Sequence, residues 1–278
     1  MKKSIGLTAL GIAVGGALAA KSYVRRPGKS DSGLPDHASL TSALKSVVKV
    51  GDPKANGGLA LNMWAAIVGR DGLVHAVTFT GDHFGDQWPG SRVIAAQKAN
   101  TANAFSLPAL ALSTANIYAG TQPGGFLYGI QFSNPVNPAV AYAGDADRFG
   151  QERDPMVGKV LGGICVFGGG LALYNSEGRI VGALGVSGDT SCADHNIAWK
   201  LRHALGLDYV PAGVNKNSSN PQGDDNAIYD VTDGKSVSGY GHADCGLGEK
   251  AIAEAFKTTC PVRIPKAHRP PGENAALL

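Results

Sequence analysis

Apolar and polar positions fall along the chain in blocks of recognisable period. Leu40 to Val50 carries apolar residues at helical spacing (Leu40, Leu44, Val47, Val48), with Ser39 or Thr41 placed to cap its start. Leu61 to Val68 is a nearly unbroken apolar run, the pattern of a buried strand. Arg70-Asp71-Gly72 supplies a tight turn and Leu73 to Thr80 returns, so this pair reads as a hairpin. Ser91 to Phe105 is rich in alanine and free of breakers, which predicts a helix capped by Ser91, and Pro108 is predicted to open a second helix to about Ala119. Residues 120–162 are rich in Pro, Gly and Asn and read as a long excursion. Ile164 to Phe167 and Leu171 to Tyr174 read as strand, Asn175-Ser176-Glu177-Gly178 as a hairpin turn, and Ile180 to Val186 as the next strand. Asp189 or Thr190 then caps a helix to about Leu205, with Gly206 as its stop. From Asp208 onward the chain is polar, with one short helix near Leu247–Lys257. Hairpins rather than strictly alternating units argue for an α/β protein of the α+β kind, an antiparallel sheet flanked by helices.

The N-terminus has a different pattern. Lys2 and Lys3 precede an uncharged run from Ile5 to Ala20, and Ala17-Leu18-Ala19 fits a small-x-small cleavage site. Residues 1–20 therefore read as a signal peptide, or as a membrane anchor if uncleaved, and the protein is expected to be exported to the periplasm or the extracellular space. Residues 21–38 form a polar linker, 39–207 the domain, with an insertion at about 133–162, and 208–278 a C-terminal extension. Charged residues are only 17% of the 278, and two of the charges behind the net +3 are Lys2 and Lys3, so the mature protein is near neutral. With no Lys/Arg cluster interleaved with aromatics, nucleic acid is not an expected partner.

Four cysteines (Cys165, Cys192, Cys245, Cys260) in an exported chain suggest disulfides. The predicted helix at 247–257 would hold Cys245 and Cys260 too far apart to bond each other, so Cys192 is expected to bond one of them; four buried thiols are the alternative.

Several segments carry candidate chemistry. Gly168-Gly169-Gly170 leads from strand to strand, which is not a phosphate-loop context; it suits a bend, a bulge, or the close approach of backbone to a ligand. Gly185-Val186-Ser187-Gly188-Asp189 is close to a nucleophile elbow, but Asp189 stands where the last glycine belongs. The turn after Ser187 is predicted either to favour an anion or simply to be capped by Asp189 and Thr190. Cys192, Asp194 and His195 share the first turns of the following helix, a possible metal or redox site unless Cys192 is in a disulfide. His242, Asp244 and Cys245 form a second polar cluster, without zinc-motif spacing. The absence of CxxCH disfavours covalent haem and leaves noncovalent haem open. His75 lies on a strand face with Leu73, Val77 and Phe79, as a core histidine would, whereas His83, beside Phe84 and Trp88 in a loop, suits a flat aromatic ligand or is an ordinary solvated residue. Lys98, the only charge between Arg92 and Asp145, either reaches into a pocket to pair an anion such as a propionate or lies on a solvated face.

These residues bring a family into view. Arg70 to Leu73, Ser91-Arg92-Val93-Ile94-Ala95-Ala96-Gln97-Lys98-Ala99-Asn100-Thr101-Ala102, Gly163 to Gly170, and Gly182 to Gly188 resemble, in order and spacing, the GlcG/HbpS-like haem-binding family, also found as the C-terminal domain of PduO-type proteins. The likeness covers about residues 40–206. It implies a profilin-like sheet flanked by helices, homo-oligomers, and noncovalent binding of haem or a related tetrapyrrole in iron handling or redox sensing. It directs attention to Asp82 or Asp86, Lys98, Gly169, Gly170 and Asp194 around one cleft, to which the reading of the residues adds His83 as iron ligand and Ser187 and His195 beside them. About three residues inserted between Asp82 and Ser91, the 133–162 segment and the tail depart from the family pattern. Two other functions stay open: an enzyme acting on a small organic acid through Lys98, Asp194 and His195, and an accessory protein at the membrane surface, attached through its N-terminus.

Overall fold

The computed structural model describes residues 33–217 and 220–266; the predicted export segment and most of the linker lie outside the described residues. Helix α1 (His37–Val47) is followed by a single turn, α2 (Pro53–Asn56), and the hairpin β1 (Trp64–Gly69) and β2 (Val74–Phe79). The alanine-rich α3 (Ser91–Phe105) comes next. Short helices α4 (Thr114–Ile117), α5 (Ile130–Ser133) and α6 (Pro138–Ala141) punctuate the excursion. Strands β3 (Gly170–Tyr174) and β4 (Ile180–Ser187) and helix α7 (Ser191–Ala204) complete the domain. The tail adds two small hairpins, β5 (Asn215–Asn217) with β6 (Asn220–Asp224) and β7 (Val231–Thr232) with β8 (Lys235–Ser236), and then α8 (Glu249–Thr259).

The main sheet is antiparallel throughout, in the order β2-β1-β4-β3. Its alternation explains why β1 reads as an unbroken apolar run: both faces are covered. Ala65 and Ile67 face a core shared with Leu40 and Leu44 of α1, Ile197 and Leu201 of α7 and Phe256 of α8. Trp64, Ala66 and Val68 face a second core with Val93, Ala95, Ala99 and Ala102 of α3 and Met156 of the excursion. Helix α3 lies unusually close to the sheet because small residues meet there. A Cβ on Gly185 of β4 would stand 1.9 Å from the Ala95 carbonyl oxygen, a contact only glycine permits.

Several boundaries differ from expectation. The cap of α1 is Asp36, whose carboxylate accepts the Ser39 N–H at 2.8 Å, so the helix starts earlier than Leu40. Residue Ser91 begins α3 but gives it no side-chain cap. The helix predicted from Pro108 is absent. Leu107 and Leu110 pair across a tight turn instead, and helix begins only at Thr114, capped by Ser113 with Asn116 answering it. Residues 164–167 form no strand, and β3 begins at Gly170.

The excursion and the tail are packed rather than loose. Arg92 of α3, buried, forks onto Asp154 at 2.8 and 2.5 Å and lies 3.8 Å above the Phe149 ring, tying the excursion to the second core. In the tail, Asp225 takes both arms of the buried Arg202 at 2.7 Å each, and Phe256 stacks on Trp199 with centroids 5.7 Å apart. Cys192 is bonded to Cys245, with Cα atoms 6.2 Å apart; Cys165 and Cys260 are free. Among the described residues no helix is long and apolar enough to cross a membrane.

Candidate functional site

Lys98 occupies the sheet-facing side of α3 and is only 2% exposed, so the solvated-face alternative does not hold. Its ammonium donates to Asp194 Oδ2 at 2.6 Å and to the Val186 carbonyl at 3.2 Å. The other oxygen of Asp194 accepts the Asp189 N–H at 2.9 Å. Burial pushes the Asp194 carboxyl up, to about 6, against the opposing pull of Lys98 and the Asp189 N–H. The glycine turn closes over this pair. Gly169, at φ +119°, passes so near that a Cβ there would stand 3.1 Å from Lys98 Nζ and 2.5 Å from the Val186 oxygen. Gly170 donates its N–H to Thr114 Oγ1 at 2.9 Å. Ser187, the last residue of β4, pairs in register with Trp64 and is buried. Beyond it Thr190 caps α7, while Asp189 accepts the Leu59 N–H at 2.7 Å and so binds the segment before β1. The structure thus gathers Lys98, Gly169, Gly170, Ser187 and Asp194 into one sealed centre in which Lys98 already has an anionic partner.

The tail covers this centre from one side. His195, fully buried, lies 3.1 Å from the Ala227 N–H and 3.2 Å from Asn226 Oδ1, and burial lowers its pKa to about 3. His242 donates from Nδ1 to the Ala243 carbonyl at 2.7 Å and accepts the Gly168 N–H on Nε2 at 3.2 Å, which fixes a neutral ring; burial holds its pKa near 4. The Cys192–Cys245 bond fastens the same stretch of tail to the first turn of α7.

Asp82, His83 and Asp86 lie outside that centre, in the loop that leaves β2. Asp86 Oδ2 accepts the N–H groups of Asp82 at 2.8 Å and His83 at 2.7 Å, and these bonds lower its pKa. His83 is exposed, its ring 4.2 Å from that of Phe84, and its Nδ1 accepts the Gly85 N–H at 3.1 Å. Trp88, 53% exposed, ends the loop. His75, expected to be a core histidine, is half-buried, and burial lowers its pKa.

Sequence reasoning missed Thr114, Arg202, Asp225 and Glu249, all buried polar residues. Arg202 had a signal, a charge in the apolar stripe of α7. Its partner Asp225 had none, because only the fold of the tail brings it there.

A family model described as "Haem degrading protein HbpS-like" matches residues 48–201. No curated protein matches the chain in sequence. Among solved structures, the chain is similar to the Klebsiella pneumoniae protein ORFY, at 21% identity and a TM-score of 0.40 over 62% of this chain and 90% of that one. It is similar to PduOC in complex with haem, at 24% identity and a TM-score of 0.41 over 62% and 94%. A third similar structure is HbpS, at 17% identity and a TM-score of 0.37 over 62% and 90%. The family match spans more than half of the chain and contains β1 to β4, the glycine turn and Lys98 with Asp194: the protein belongs to the HbpS-like, haem-degrading family.

Proposed function

We propose that the chain is an exported haem-handling protein that holds haem noncovalently at the Asp82–Trp88 loop, with His83 as ligand to the iron. One observation carries the location: among the described residues His83 is the only exposed histidine. His195 and His242 are buried and hydrogen-bonded, and His37 and His203 are half-buried and bonded to the Gly150 carbonyl and to Asp208.

The residues present fit an iron and a flat ring. His83 and Phe84 offer adjacent rings tilted 39° to each other, with the Trp88 indole at the end of the same loop. Ligation through Nε2 needs the ring proton on Nδ1, so the bond from the Gly85 N–H must be given up, at a cost of about 1 kcal/mol. A metal-bound imidazole ordinarily donates from its second nitrogen, and an exposed loop can turn to allow it. Lys98 is engaged with Asp194 and is not free to pair a propionate. Bound haem would supply a redox-active iron; the chain's own part is to present the imidazole and stack on the ring. Acid–base chemistry by Lys98, Asp194 and His195 has no such opening, since all three are sealed from solvent.

Export is supported by the Lys2-Lys3 and Ile5–Ala20 pattern together with a disulfide, which an oxidising compartment preserves. Self-association is supported by Phe126, Phe132 and Tyr142, each at least 70% exposed. The test is a haem titration followed in the Soret region, for the full chain and for His83→Ala. A saturable, shifted band that the variant loses is expected. A band kept unchanged in the variant would remove His83, and no saturable change in the wild type would overturn haem binding itself.

A further inference from the structure

The Cys192–Cys245 bond has a neighbour that a purely structural disulfide does not require. Both sulfurs and a carboxylate oxygen of Glu249 lie within 4.8 Å of one another. Glu249 is fully buried at the start of α8. It accepts the N–H groups of Cys245 at 2.6 Å, Gly246 at 3.1 Å and Leu247 at 2.8 Å. Among the described residues no Lys or Arg is bridged to it; Lys250, the next residue, pairs instead with Asp244. A fourth partner is acidic, since the side chain of Asp244 is hydrogen-bonded to that of Glu249, so a second carboxyl stands at the edge of the cluster. A fourth donor is close, for His242 Nδ1 lies 3.9 Å from Cys192 Sγ. A sealed carboxylate, two sulfurs and an imidazole are the ligand types of a site for a borderline-soft cation.

We propose that opening the Cys192–Cys245 bond converts this cluster into a site for a divalent cation of the zinc type, bound by the two thiolates and Glu249. A dithiol reductant supplies two electrons and two protons. It is oxidised to its own disulfide while Cys192 and Cys245 become thiols, and the cation then displaces both thiol protons to solvent. Tetrahedral geometry with metal–sulfur distances of about 2.3 Å sets the sulfurs about 3.8 Å apart. The 6.2 Å Cα separation accommodates this by side-chain rotation. The cation also relieves the repulsion of three anions in one buried place. His242 Nδ1 is placed to close the fourth position. If it does so, the ring proton moves to Nε2, which then cannot accept the Gly168 N–H. Metal loading is thereby transmitted to the glycine turn above Lys98 and Asp194.

Cobalt(II) alone is the probe, added to the full chain either oxidised or reduced with a phosphine that does not chelate it. The expected result is one equivalent bound by the reduced protein, with a thiolate-to-cobalt charge-transfer band and tetrahedral d–d bands, and none by the oxidised protein. Glu249→Gln should weaken binding about tenfold or more, and Cys192→Ser should abolish the charge-transfer band. A variant lacking Cys165 and Cys260 should keep it. Absence of the band in reduced protein that circular dichroism shows to be folded would overturn the proposal, as would its loss with Cys165 and Cys260. The comparison of oxidised with reduced wild type needs no substitution, so a variant that fails to fold does not weaken the test.

Discussion

Replacing Lys98 by methionine removes the cation from the sealed centre while nearly keeping its volume. Two routes are then open to Asp194. It can stay ionised without a partner, the case that costs about 3–5 kcal/mol for a broken buried pair, or it can take up a proton. Its pKa is already raised from 3.8 to about 6 with Lys98 present, and Lys98 is the strongest influence holding it down. Without the lysine the carboxyl rises further and is protonated at pH 7. Relative to the wild type, that route costs about 1.4 kcal/mol per pH unit above 6. Adding about 1 kcal/mol for the lost bond to the Val186 carbonyl gives a loss of about 2–3 kcal/mol at pH 7. The cheaper route wins, and it leaves a signature. A carboxyl with a raised folded-state pKa contributes stability that is complete below its unfolded pKa and lost as pH rises through the folded one. In the wild type that loss ends near pH 6; in the variant it continues. Urea denaturation followed by tryptophan fluorescence should show the gap between the two proteins about 2 kcal/mol wider at pH 7.5 than at pH 5.5. Equal gaps at both pH values, or 3–5 kcal/mol at each, would refute the reasoning.

Other consequences can be measured alongside. Gly185→Ala should lower the melting temperature sharply or prevent folding, because its Cβ meets the Ala95 carbonyl at 1.9 Å and would force α3 off the sheet. Cys192→Ala with Cys245→Ala should cost about 2–4 kcal/mol in denaturant titrations, since the bond closes a loop across a separation of 53 residues. His242 is held neutral with its pKa lowered to about 4, so its contribution is present above pH 6.5 and is lost as pH falls toward 4. His242→Asn should flatten the acid limb of stability against pH by about 1.4 kcal/mol per unit in that window.

The parts of the fold legible in the sequence are those written in local pattern. Strands β1, β2 and β4 and helices α3 and α7 declare themselves by period, by turn glycines and by caps. Pro108 misled because a proline suits a tight turn as well as a first helical turn, and here Leu107 and Leu110 close the turn. The packing of the excursion and the tail was not legible because their stabilising contacts are polar and distant in sequence. Arg92 with Asp154, and Arg202 with Asp225, are separated by 62 and 23 residues. The Lys98–Asp194 pair, 96 residues apart, is of the same kind. Each residue was conspicuous alone, but no spacing rule indicated that they were partners rather than two contacts for one ligand.

That distinction bears on where haem is held, and the Asp86 carboxylate separates ligation from preorganisation. Asp86 touches no iron in the proposed arrangement. It gathers the Asp82 and His83 N–H groups onto one oxygen and so holds the loop in the shape that presents His83 beside Phe84. Asp86→Ala leaves the imidazole in place but adds the ordering of the loop to the work of binding, which for one or two side chains corresponds to a weakening of about 2- to 10-fold. The Soret maximum of the bound form should stay where the wild type has it, because its position reports the ligand, while His83→Ala should move or abolish it. If Asp86→Ala shifts the maximum, the carboxylate itself lies in the iron's environment. If it changes neither maximum nor affinity while His83→Ala also has no effect, haem is held elsewhere on the molecule and the exposed loop is not its site.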